Sequence, residues 1–145
     1  MSSVPENFTE MSPLGPFHEL VGPVYTRIEG DTYTLGLFMQ HKHRNLGNMM
    51  HGGMVCMIVD TALSWAAGQA RGGDGMALTT TLSVDLMGQI REGDWVEARV
   101  NFLRNGRRVV FAECYIWTND KAVARGNAQF QVVASKTPAK YKKAE

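Results

Sequence analysis

The spacing of hydrophobic positions changes along this chain, and each change marks an element. Val24 to Ile28 and Thr32 to Met39 are β-branched and aromatic runs separated by Glu29-Gly30-Asp31, the composition of a β-hairpin with a short glycine turn. From Met54 to Ala67 the sequence MVCMIVDTALSWAA is apolar around nearly the full circumference of a helix, which predicts a helix enclosed by protein. Arg71-Gly72-Gly73-Asp74-Gly75 then breaks it. In Ala77 to Met87, the residues Leu78, Thr80, Leu82, Val84 and Leu86 alternate with Ala77, Thr79, Thr81, Ser83 and Asp85, so a strand with its leucine face toward the core is expected. Trp95 to Arg104 and Arg107 to Trp117 flank Asn105-Gly106, the pair best suited to the positive φ angles of a two-residue turn. A last strand, Ala122 to Val133, follows the turn Thr118–Lys121.

Two strands, one long helix and about four more strands make an α+β domain over residues 16–134, with an antiparallel sheet of five to six strands. A short helix is predicted at PFHELV, residues 16–21. Residues 1–15, rich in Pro, Ser and Gly, read as a loosely held arm, and residues 135–145 read as a polar, basic tail. One helix cannot cover both faces of such a sheet, so an uncovered face or edge is expected to meet a second copy of the chain.

Composition narrows the functional classes. Hydrophobic residues make up 44% of the chain and charged residues 20%, which fits a soluble globular domain. A formal charge of +1 supplies no global field for nucleic acid or an anionic membrane. The longest apolar run, Met54 to Ala70, contains Asp60 and falls short of the ~20 residues of a membrane helix. The first residues carry no basic-then-apolar leader pattern, so a cytoplasmic location is expected. The two cysteines, Cys56 and Cys114, stand far apart without metal or redox spacing and read as core thiols.

Asp60 is the one charge in the apolar helix, and a carboxylate there has to be hydrogen-bonded, paired or used. Thr61 and Ser64 are its nearest structural partners in sequence; general-base or nucleophilic chemistry in a dry cleft is the functional alternative. His51-Gly52-Gly53 stands where the helix begins, and bare amides at a helix start can polarise a carbonyl oxygen. From His51 to Asp60 a helix rises about 13 Å, at 1.5 Å per residue. Asp60 is therefore expected to serve a substrate held at the helix start of another subunit. His41, His43 and His51 suggest a metal site, with His41 and His43 on one strand face, but no further ligand stands at recognisable spacing, so no metal is expected. His18 is an isolated histidine and reads as a packing or surface residue.

His43-Arg44-Asn45-Leu46-Gly47, His51-Gly52-Gly53 and Asp60 together resemble the signature of hotdog-fold acyl-CoA thioesterases, nearest to the phenylacetate-pathway (PaaI-type) branch. The resemblance covers about residues 16–134 and implies a long helix wrapped by an antiparallel sheet, in homodimers or dimers of dimers with active sites at the subunit interface. It implies hydrolysis of an acyl-CoA thioester without a cofactor, coenzyme A being part of the substrate. Asn45 would orient the thioester or the water, the Gly52 amide would polarise the carbonyl, and Asp60 would act as base or nucleophile. His51 would lie near the leaving sulfur, and Thr79, with Thr80 and Thr81 as alternatives, would assist the water. Gly53, Met54, Met57, Ser64, Trp65 and Thr80 would line the substrate pocket. Where relatives commonly carry Arg-Pro, this chain has Leu86-Met87-Gly88-Gln89-Ile90, and Arg104, Arg107 and Arg108 read as a solvated hairpin tip rather than a phosphate clamp. An acyl-CoA sensor without activity and a hotdog dehydratase are the competing classes.

Overall fold

The computed structural model describes residues 3–73 and 75–134. Its sheet is antiparallel and seven-stranded, in the order β1-β2-β3-β5-β6-β7-β4. The strands are β1 (Thr9–Glu10), β2 (Tyr25–Glu29), β3 (Thr32–Phe38), β4 (Met76–Leu86), β5 (Trp95–Asn105), β6 (Val109–Thr118) and β7 (Lys121–Val133). Helix α1 (Pro16–Val21) precedes β2, and the long helix α2 (Gly52–Ala70) carries the chain across the sheet from β3 to the far edge at β4. This is the hotdog arrangement, with one strand more than expected: β1, from the arm expected to be loose, pairs with β2, and Phe8 packs edge-on against Trp95. The basic tail lies outside the described residues. No helix among the described residues is long and apolar enough to cross a membrane.

The core lies between α2 and the concave face of the sheet, where Ile58, Val59, Ala62, Leu63 and Ala67 meet Val96, Ala98, Cys114, Ile116 and Phe130. α2 lies close against Gly126 of β7, where a Cβ would come within 2.4 Å of Val59 Cγ1. Burial pushes the Cys114 thiol up to about 12, so it stays protonated and packs as an apolar residue.

Three expectations are corrected. The helix is not enclosed: Gly53, Met57, Asp60, Ser64 and Gly68, three or four residues apart, form a stripe that the sheet does not cover. The Asn105-Gly106 turn is not a two-residue turn, since Asn105 pairs with Val110. Tertiary contacts override the local preference there: Asn105 Nδ2 donates to Ala67 O at the end of α2 (3.1 Å), and Arg71 donates to Asn105 Oδ1 and Gly106 O. The two-residue turn with both φ angles positive occurs instead at Asn119-Asp120. Finally, the leucine alternation of β4 is interrupted by a bulge between Thr79 and Thr81. Thr79 pairs with buried Phe130 and Leu82 with buried Ala128, so both face α2, while Leu78 is turned to the outer surface.

Candidate active site

The structure divides the predicted residues into two groups at different places along α2. The first is built by the loop from β3 to α2. Asn45 Oδ1 accepts from the amides of Gly47 (2.8 Å) and Met49 (3.2 Å), fixing a tight loop in which Asn48 adopts a positive φ of 59°. With Oδ1 engaged, the amide nitrogen is the group Asn45 can offer a ligand. His51 is the N-cap of α2, and its Nδ1 accepts from the Gly53 amide (2.9 Å). A ring accepting at Nδ1 carries its proton on Nε2 when neutral. The amides of Met54 and Val55 reach His51 O. That leaves the half-buried Gly52 amide as the one first-turn donor without a partner among the described residues.

Neither glycine is required for an unusual dihedral; both serve close approach. A Cβ on Gly53 would lie 3.0 Å from His51 Nδ1, and one on Gly52 would lie 3.2 Å from Leu86 Cδ1. Asn45, Gly52, Leu86, Gly88 and Gln89 share a cleft of about 200 Å³, so the segment that replaces Arg-Pro lies beside the free amide. Gly53, Met54 and Met57 line a second pocket, of about 340 Å³, with Phe17 and Leu20 of α1.

The second group surrounds Asp60, two turns further along α2. Its partner is neither Thr61 nor Ser64: the Ser64 hydroxyl donates back to Thr61 O (3.2 Å), and Thr79 Oγ1 donates to Asp60 Oδ1 at 2.5 Å. The β4 bulge is what aims Thr79 at the carboxylate. Thr80 instead donates to Gln129 O (3.1 Å), which separates these two of the three candidate threonines. Asp60, Ser64 and Trp65 line a cavity of about 360 Å³. His18, to which the sequence assigns no role, belongs to this group: its Nε2 lies 2.9 Å from Thr61 Oγ1, and the ring lines the same cavity. No local pattern signals this, because the contact spans 43 residues.

The histidines do not assemble a metal site. His41 and His43 sit on a 3-10 turn rather than a strand face, and His43 is buried with both nitrogens engaged, Nδ1 by Gln40 N and Nε2 by Val21 O (2.7 Å). Desolvation by burial lowers its pKa, against the raising effect of the Val21 carbonyl. Among the described residues no group of three or more His, Cys, Asp or Glu could hold a metal ion. Arg104, Arg107 and Arg108 are exposed.

A family model described as the thioesterase superfamily matches residues 47–124. A "putative esterase" of Pseudomonas aeruginosa is 29% identical over 133 residues, covering 91% of this chain and 99% of that protein. Among solved structures, a mutant of the phenylacetic acid degradation protein PaaI from Thermus thermophilus superposes with a TM-score of 0.71 at 21% identity, over 82% of this chain and all of that one. A Streptococcus mutans protein bound to acetyl CoA superposes with a TM-score of 0.67 at 16% identity, over 94% and 96% of the two chains.

Proposed function

The chain belongs to the thioesterase superfamily, and from that membership and its own geometry we propose that it hydrolyses acyl- or aryl-CoA thioesters to the free acid and coenzyme A. The observation that carries this reading is the Gly52 amide, left unpartnered at the start of α2 while its neighbours are capped. A thioester carbonyl received there gains a donor where negative charge develops. Asn45 orients the bound group through its side-chain nitrogen.

Asp60 of the same chain is too distant for that carbonyl, since eight residues of helix rise about 12 Å. β4 supplies the second subunit. It is an edge strand eleven residues long, with Leu82 and Leu86 exposed, and such an edge calls for a partner. Thr79 contacts Asp60 near one end of β4, and Leu86 abuts Gly52 at the other. Pairing β4 antiparallel with its own copy about a two-fold axis near Leu82 and Ser83 sets the Asp60 end of one chain against the Gly52 end of the other. The Asp60 carboxylate, held by Thr79, then attacks the thioester carbon or takes a proton from the water that does. On the water route Asp60 returns that proton to the sulfur as the C–S bond breaks, and coenzyme A leaves as the thiol. On the nucleophilic route the C–S bond breaks to release the thiolate and leave an acyl–Asp60 anhydride, which water cleaves to the acid and the free carboxylate, its remaining proton going to the thiolate. His51, with Nε2–H outward from its cap, stands on the leaving-group side. The reaction so drawn needs no cofactor.

Asp60→Asn tests the reading. Thiol release from acyl-CoA esters is expected to fall by about 10²–10⁴-fold, with KM changed far less. Parental turnover in the folded variant would remove Asp60 from the chemistry. Binding of acyl-CoA without turnover in the parent itself would favour a sensor.

A further inference from the structure

The segment before β2 contributes nothing to the chemistry above, yet it forms one wall of the cavity beside Asp60. Met11, Leu14 and His18 face Trp65, Met76 and Ala77 across it. Its Met11–His18 stretch is fastened at both ends. The Met11 amide donates to Val24 O (2.8 Å), and His18 bonds the hydroxyl of Thr61, the residue next to Asp60. Thr61 is 7% exposed, and its hydroxyl also lies 3.2 Å from Met57 Sδ, so the His18 bond is anchored on a side chain held from two sides.

The chemistry of the lining limits the occupant. Among the described residues no Lys or Arg borders the cavity, its walls are largely aliphatic and aromatic, and Asp60 sets a carboxylate at its edge. Such a cavity does not suit the anionic nucleotide of coenzyme A, nor an acyl group ending in a second carboxylate. Its volume of about 360 Å³ lies near the lower end of the ~300–1,000 Å³ found for small-molecule pockets. We propose that this cavity receives the acyl group, and that Met11–His18, latched by the His18–Thr61 hydrogen bond, is the wall that selects compact, uncharged apolar acids. The inference rests on the thioesterase reading above. Leu14 and Met11 act through shape, and His18 is a positioning residue acting through Thr61.

The test compares kcat/KM for acetyl-, hexanoyl-, decanoyl-, phenylacetyl- and succinyl-CoA. Leu14→Trp, which fills the cavity, is expected to lower the phenylacetyl-to-acetyl ratio about tenfold. Leu14→Ala, which enlarges it, should raise the decanoyl-to-hexanoyl ratio and carries the test if the tryptophan variant does not fold. His18→Ala should flatten the selectivity through KM, and His18→Gln, which keeps hydrogen-bond reach, should restore part of it; simple loss of stability would depress all substrates together. The parent should cleave succinyl-CoA at least tenfold less efficiently than hexanoyl-CoA. Ratios within twofold of parent in folded variants that still hydrolyse would overturn the wall while leaving the thioesterase reading intact. Failure of the parent to cleave any ester would overturn that reading instead. The wall is then read by calorimetric titration of phenylacetyl- and acetyl-CoA into Asp60→Asn, with and without Leu14→Trp. Equal changes in both affinities would overturn it.

Discussion

The two ends of the His51–Asp60 stretch of α2 are built on opposite plans. Around His51 the chain satisfies itself: a capping histidine, an asparagine folded onto its own loop and a buried His43 behind them leave one amide free. Around Asp60 almost nothing is self-contained. Among the described residues the carboxylate has one hydrogen bond, from a strand at the exposed edge of the sheet, and the cavity beside it is closed by a segment from near the start of the chain. The first end is held mainly by partners close in sequence; the second depends on tertiary placement. Disturbing the first should cost stability as well as rate, whereas disturbing the second should cost rate or selectivity.

The sharpest way to break that comparison is to separate the ends between chains. Asn45→Ala and Asp60→Asn proteins should each be nearly inactive, while mixed dimers hold one intact site of two and should recover up to about half of parental activity per dimer. Confirmed mixed dimers without activity would mean that each chain builds its site alone. Next in size, Thr79→Val should lower kcat by about 10- to 100-fold by releasing Asp60, against a change of less than about threefold for Thr80→Val. Equal losses would remove the distinction made by the bulge. At the other end, His51→Ala should lower thermal stability by about 1 kcal/mol through the lost cap, an effect absent from Thr79→Val. The smallest effect concerns His43. Its folded pKa lies below the unfolded value near 6.5, so the unfolded chain takes up protons first as the pH falls. The stability it contributes is complete above pH 6.5 and is lost on descending toward its folded pKa. A His43→Asn variant should show a flatter denaturation profile across that interval.

Much of this was legible in the sequence where period and spacing report local chemistry. The apolar run gave α2, Gly30 gave the first turn, and the helical rise from His51 to Asp60 gave the separation of the two groups, though not the uncovered stripe on which they lie. What escaped lies in long-range contacts. Asn105 reads as a turn former until the end of α2 comes within its reach. Alternation in β4 cannot disclose a bulge, because an extra residue in one strand is defined only by the partner strand. His18 has no signal before Thr61 is beside it.

The separation between Thr79 and Leu86 has one more consequence. In the proposed pairing this stretch of β4 is a ruler, and the two-fold axis makes both sites of the dimer read the same mark. A slip of the strand would leave every hydrogen bond within each chain intact yet misplace both carboxylates at once. Such a dimer is expected to be fully working or fully silent, with folding alone no guide to which.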